Sequence, residues 1–409
     1  MLQLVKLFVI IMLVTSCEGG TNTIFPPYLE LLGMPVSRIG FISSLFGITS
    51  LAARLPSGAF YTSQRAKLLL SSTLALLAVG TTGYAYTGDA LYLVGLTLLH
   101  GFAFGAVTTI MLALVIEINP PGYSPGAMMG WYTASISAGY AIGNSLGGFL
   151  ADGFGFQIGF IVIGLFPLLG VLLTGWLPRL EPTLNPPSVE PTPKEVSSGP
   201  ARPRWWWQID LSGLTPTILL ATLVAFYINF LDDAVSTFFP LFGLSIGLSL
   251  TTIGALRSAK SLAATCIRPV SGFFFKFVNY RLLNNIAILV WSVIVFFFPS
   301  MQLGWVFLLA FIVVGLSRGL IRVTSATMVA EEKSKRSAGL GFAAGVYNAG
   351  LDMGTFAGPI AGGLLASTIG IPAMFRIIPI GLACAYLMAV FLVIQTEKRA
   401  VDRVLVKEN

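Results

Sequence analysis

Apolar segments of about twenty residues or more follow one another almost without a break along this chain. They lie near 4–30, 36–61, 67–87, 91–118, 123–151 and 156–177, then 216–244, 248–276, 281–300, 302–329, 337–365 and 371–394. Roughly 20 apolar residues span the hydrocarbon core of a bilayer as a helix. With no water there to bond exposed peptide groups, a helix that bonds its own backbone is the economical solution. The expected fold class is therefore an all-α polytopic membrane protein with twelve transmembrane helices. Charged residues make up 10% of the chain, against roughly 25% in a soluble domain. The net charge of +7 is then no sign of nucleic-acid binding. Three scattered cysteines, Cys17, Cys266 and Cys384, imply neither a disulfide framework nor a metal cluster, and a single histidine, His100, removes most metal-hydrolase and triad chemistries.

One long polar stretch, PRLEPTLNPPSVEPTPKEVSSGPARPRWWWQ, separates the sixth segment from the seventh. Its prolines forbid regular structure, so it reads as a linker. Trp205, Trp206 and Trp207 close it as interfacial anchors do. The expected organisation is an N-terminal bundle over 1–178, a linker over 179–212, a C-terminal bundle over 213–396 and a tail over 397–409. Basic residues gather on one side. Lys6, Arg65, Lys67, the linker's four and the tail's four are among sixteen there, whereas the opposite loops carry only Arg38 and Arg376. Excess Lys/Arg marks the cytoplasmic side. Both termini are expected inside, in a multi-pass protein of the cell membrane.

The two halves repeat. GAMMGWYTASISAGYAIGNSLGGFLADGFGFQIGF (126–160) and GFAAGVYNAGLDMGTFAGPIAGGLLASTIGIPAMF (341–375) agree at twelve of 35 positions without a gap. A shift of 214 pairs Ile39-Gly40 with Ile253-Gly254, Arg54 with Arg268, and Phe25-Pro26 with Phe239-Pro240. It also bears on the opening MLQLVKLFVIIMLVTSCEGG, which alone reads equally as a lipoprotein signal cut before Cys17. The shift sets Glu18 against Asp232 of a mid-chain helix, which favours a retained first helix.

On these residues the chain resembles the major facilitator superfamily. Segment eleven carries Gly345, Gly354, Gly358, Pro359, Gly362 and Gly363, similar to the family's fifth-helix antiporter signature. Segment five has Gly130, Gly139, Gly143, Gly147 and Gly148, with Asn144 in place of the proline. Glycines four apart also suit a bare packing face, where another helix comes close. Two signatures depart from the family. In SGAFYTSQRAK, Gly58, Arg65 and Lys67 remain, but Thr62 stands where the family has an aspartate. In LTLLHGFAFGA, Thr97 stands where it often has a proton-linked arginine, with His100 one turn on. The resemblance implies two pseudo-symmetric six-helix bundles around a central cavity. Helices 1, 4, 7 and 10 would line it, 2, 5, 8 and 11 would flank it, and 3, 6, 9 and 12 would face outward.

The charges follow that division. Near mid-depth lie Glu18, Asp232, Asp233, Arg257, Lys260, Arg318 and Asp352, with Arg322 a turn beyond, while segments 3, 6 and 9 carry none. An ion at that depth costs several kcal/mol unless paired or watered. Glu18, Asp232, Asp233 and Asp352 are therefore the proton-coupling candidates. Asn22, His100, Tyr132, Arg257, Lys260, Arg318, Tyr347 and Asn348 are the substrate-cavity candidates. No base lies near mid-depth in segments 1 to 6, so Glu18 is expected to find a partner in the second half, or a proton. The second-half charges admit a static ion-pair network as well as a binding site. Acids beside bases suit an amphiphilic or zwitterionic solute.

The expected function is secondary transport of a small organic solute by alternating access, as proton-coupled efflux. The alternatives are a proton or sodium symporter importing a polar metabolite, and a non-transporting receptor or scaffold on the same fold. No enzyme motif is present. The expected partners are the lipid bilayer, a small-molecule substrate and protons, with no nucleic acid, no cofactor and no metal, and the chain is expected to act as a monomer.

Overall fold

The computed structural model describes residues 2–117, 125–176, 215–274, 279–335 and 340–408. Twelve α-helices occur among them: α1 (Leu2–Leu31), α2 (Val36–Phe60), α3 (Ala66–Gly83), α4 (Ala90–Glu117), α5 (Pro125–Phe154), α6 (Phe156–Gly175), α7 (Pro216–Ser245), α8 (Leu250–Phe274), α9 (Tyr280–Phe297), α10 (Gly304–Lys335), α11 (Leu340–Ile369) and α12 (Ile371–Glu408). They coincide with the twelve apolar segments to within a few residues, except that α10 and α12 run further. The linker, with its arginines, lysine and tryptophans, lies outside the described residues, as do Lys276 and Arg336. The backbone of 397–408 continues α12 rather than leaving it.

α1 is unbroken from Leu2 to Leu31. Cys17 is fully buried in its middle, with the thiol 3.2 Å from Thr81 Oγ1 of α3.

Among the described residues, nine helices are long and apolar enough to cross a membrane, and α5, α8 and α11 are not among them. The reason is where these three sit. The two six-helix bundles meet mainly through α5 against α8 and α2 against α11, with α1 beside α7. α8 carries Arg257, Lys260 and Arg268, and α5 and α11 carry the glycine rows. The outer helices α6, α9 and α12 instead show Leu165, Leu172, Val293 and Phe391 to the surroundings.

The glycine rows pack the bundles. On α5, Gly139 lies against Met12 and Thr15 of α1, Gly143 against Ser16, and a Cβ on Gly147 would come within 2.8 Å of Gly20 Cα. On α11, Gly354 and Gly358 meet the α7 backbone at Phe226 and Phe230, and Gly362 meets the Phe238 ring. The last glycine of each row points the other way. Gly148 abuts Leu250 and Gly254 of α8, and a Cβ on Gly363 would sit 3.0 Å from Gly40 Cα of α2. Gly130 and Gly345 have nothing within 4 Å of a built Cβ, so close packing does not require them. Asn144, in the proline's place, accepts a hydrogen bond from Thr23 of α1 at 3.0 Å.

These contacts distinguish two faces. The basic face holds the start of α1, the α2–α3 turn and the end of α4. At the opposite face lie the α1–α2 and α7–α8 turns, and there the halves touch glycine to backbone.

Candidate functional site

A cavity of about 380 Å³ lies between the bundles. Its lining comes from α1, α2, α4, α5, α7, α8, α10 and α11, and none comes from α3, α6, α9 or α12. It extends to the basic face, reaching Leu112 near the end of α4 and Met129 near the start of α5. Beyond Glu18, toward the opposite face, lies a smaller space of about 50 Å³ among Phe25, Pro26, Tyr84, Thr97, His100 and Pro359. Glu18, Asn22, Phe46, Asp233 and Thr355 line both spaces. Among the described residues, the larger space lies toward the basic face and the smaller one toward the opposite face.

Glu18 is buried at 2% exposure. Its Oε2 lies 2.8 Å from His100 Nε2, and its Oε1 accepts from Asn22 Nδ2 at 2.8 Å. Asn22 is one turn on, at the i+4 spacing that stacks side chains on one helix face. The imidazole is held on three sides. Thr81 Oγ1 is 3.4 Å from Nδ1, Tyr84 stacks at a centroid distance of 6.0 Å, and Phe46 sits edge-on at 5.7 Å. The expectation that Glu18 would draw its partner from the second half is corrected here. The partner is His100 of α4, in the same bundle, because α1 and α4 converge at mid-depth.

Asp232 holds two bases, Lys260 Nζ at 2.6 Å and Arg318 Nε at 3.2 Å. Lys260 and Asp232 are both buried and neither lines the cavity. This pair has the geometry of a static link between α7, α8 and α10. Asp233, one residue on and so turned about 100° around α7, faces both spaces instead. Arg257 is also buried, and it donates to the Asn22 and Ser236 carbonyls at 2.7 and 3.1 Å. It joins α8 to α1 and α7 rather than lining the cavity.

Asp352 lines the cavity and pairs with Arg54 across the halves at 3.0 Å. The repeat mirrors this contact. Arg268, which corresponds to Arg54, donates to Ser137 Oγ at 3.0 Å, and Ser137 corresponds to Asp352 by the 215-residue shift. Neither arginine was a site candidate from sequence. Their repeat correspondence is the signal that could have found both.

Tyr132 lines the cavity, with its hydroxyl 3.4 Å from the Thr108 carbonyl. Tyr347 does not; its hydroxyl meets Ser325 Oγ at 2.9 Å. Asn348 is exposed and also falls outside the lining. It shares a helix face with Asp352 but sits about 6 Å further along the axis, past the cavity wall.

At the basic face, Thr62 and Arg65 are exposed, joined by the Arg65 N–H to Thr62 carbonyl bond at 2.9 Å. Gly58 is exposed too, and Lys67 donates to the Gly175 carbonyl at 3.3 Å. The acid that ties this turn down is Glu117, at the end of α4. It accepts from Tyr61 Oη at 2.5 Å and from Ser63 Oγ. Burial first, and then the Glu117 carboxylate, push the Tyr61 phenol above its ordinary range, so it stays a donor.

The sequence model of the Major Facilitator Superfamily matches residues 7–344. The chain belongs to the major facilitator superfamily. Among this facilitator's relatives is the quinolone resistance protein NorA of Staphylococcus aureus, 23% identical over 372 residues, covering 89% of each chain. A homolog of the multi-drug resistance efflux pump PmrA from Lactococcus lactis is 31% identical over 155 residues, 36% of this chain and 37% of that one. The structure of the nucleoside transporter NupG superposes with a TM-score of 0.73 at 15% identity, covering 95% of this chain and 99% of that one. That likeness shows the fold. This facilitator is a multi-pass membrane transporter, embedded in lipid and moving a small molecule.

Proposed function

We propose that this facilitator exports a small organic solute in exchange for protons, with Glu18 and His100 as the pair that takes and gives up the proton. The carrying observation is the position of Glu18. It lines the wide space on one side and the narrow one on the other, while bonded to an imidazole buried at 1% exposure. An alternating-access carrier needs its coupling group where each gate can reach it in turn. A carboxylate and an imidazole sharing one hydrogen bond can hold a proton at modest cost, because either partner compensates the other's charge. Asp233 is the second acceptor, at the same level on α7, and Asp232 keeps Lys260 and Arg318 in place.

The excess of basic residues makes the basic face cytoplasmic, with the chain's two ends there. The state described is then open to the cytoplasm, ready to load a solute for export. The moving bodies are residues 1–178 and 213–396, joined through 179–212, in a monomer at the cell membrane. Export also agrees with the resistance and efflux relatives.

The test is reconstitution in liposomes with an acidic lumen, the basic face outward and a pH dye inside. Candidate solutes added outside should alkalinise the lumen as protons leave in exchange. Glu18→Gln is expected to abolish that signal while solute still binds. Unchanged solute-driven proton movement in Glu18→Gln sinks the assignment. A symporter run by the same gradient would expel solute from the lumen rather than take it in.

A further inference from the structure

The charges around the cavity do not balance. Arg54, Arg257, Lys260, Arg268, Arg318 and Arg322 lie in or directly behind its wall, against Glu18, Asp232, Asp233 and Asp352. Among the described residues six bases stand against four carboxylates, so bases outnumber acids even with every carboxylate ionised. Protonating any carboxylate widens the excess. In a low-dielectric bilayer such an excess costs several kcal/mol per uncompensated ion. The excess is also placed unevenly. Arg54, Arg268 and Arg322 belong to the part of the cavity nearest the basic face, each on a different helix. Arg322 is one turn beyond Arg318 on the same face of α10, and its side chain has no ion pair or hydrogen bond among the described residues. Around these cations the wall is mixed, with Phe104, Leu112, Met129 and Ile136 among Thr108, Tyr132, Thr133 and Ser137.

We infer that this facilitator's solute is an organic anion, an apolar or aromatic body bearing a carboxylate, with the anionic group seated by Arg322. This names the substrate class of the transport site proposed above and rests on that reading. A guanidinium presents a planar fork that fits a carboxylate in two parallel hydrogen bonds. Phe104, Leu112, Met129 and Ile136 offer the body apolar contact, and about 380 Å³ suits a drug-sized molecule. A cleft lined by one sign of charge also raises the local concentration of the opposite sign at its mouth. The Arg54–Asp352 bridge crosses the halves beside this seat. An arriving carboxylate competes with Asp352 for guanidinium groups, which couples loading to the contact between the bundles.

The test uses the full chain in lipid nanodiscs and three probes on one scaffold: 2-naphthoate, 2-naphthamide and 2-naphthylmethylammonium. By calorimetry, naphthoate is expected to bind at least about tenfold more tightly than the amide, the worth of one charge-assisted bond, with the ammonium weakest. Arg322→Gln should erase the preference, and Arg322→Lys, which keeps the charge, should retain most of it. Equal affinities, a preference for the ammonium, no naphthoate binding, or an unchanged preference in Arg322→Gln each overturn the inference. Proton movement in liposomes separates the two readings. Charge-selective naphthoate binding without proton movement removes the coupling reading and leaves this one standing. Proton movement driven by the ammonium compound alone does the reverse.

Discussion

Glu18 shows how far one residue can be read. Its depth in an apolar segment marked it as costly and therefore used, and its position against Asp232 in the repeat marked it as part of a helix. Its partner was out of reach, since His100 stands 82 residues away and only the packing of α1 against α4 brings them together. His100→Ala is expected to leave the carboxylate with Asn22 alone. The cost should be about 1–3 kcal/mol for the lost partner of a buried group, seen as a lower Tm, together with loss of solute-driven proton movement. An unchanged Tm would show that the pair is not a buried bond. Asp232 makes the contrasting case. Lys260→Met alone or Asp232→Asn alone breaks a buried ion pair, a change that costs about 3–5 kcal/mol. The double variant is expected to recover expression and Tm more nearly than either single one. If the double is worse than both, Asp232 and Lys260 do more than neutralise each other.

At the scale of the helix, the glycine rows on α5 and α11 separate into kinds that spacing could not distinguish. Gly139, Gly143 and Gly147 let α1 lie against α5, Gly354 and Gly358 do the same for α7 and α11, and Gly148 and Gly363 let the halves touch. Gly363→Leu would drive its side chain into Gly40 and the Val36 and Ser37 carbonyls. Overpacking of this kind costs about 1–3 kcal/mol, and it falls on the state closed at the opposite face. Gly345→Ala meets open space, so Tm should hold or rise slightly, since Ala is better than Gly in a helix by about 1 kcal/mol. Thermal melts of the two variants check this, and equal losses in both would refute the division. The α2–α3 turn teaches the same lesson. The missing aspartate left Thr62 exposed, and the stabilising acid came from Glu117, at the end of another helix.

At the scale of the molecule, the described residues leave unequal spaces on the two sides: one of about 380 Å³ toward the basic face and one of about 50 Å³ toward the other. Rocking of the bundles about mid-depth should reverse this. Spin labels at Leu32 and Ile246, both exposed in turns at the opposite face, are expected to move apart when solute is added at acidic external pH. Labels at Gln64 and Asn279, exposed at the basic face, should approach at the same time. Pulsed electron resonance measures both distances, and a change at one face without the other would argue against two rigid bodies.

Twelve helices, their order, the pairing of the halves and the separation of charged from uncharged helices all followed from the sequence. These depend on hydropathy over about twenty residues and on repetition at a constant shift, which are properties of the chain alone. Which charge meets which depended on the fold. Glu18 with His100, Asp232 with Lys260 and Arg318, Arg54 with Asp352, and Asn348 left outside the cavity are set by helix rotation and depth. A single turn, about 5.4 Å of rise, separates a side chain in the cavity from one beyond its wall. No local pattern fixes that rotation, because it is the outcome of packing eight helices around one space.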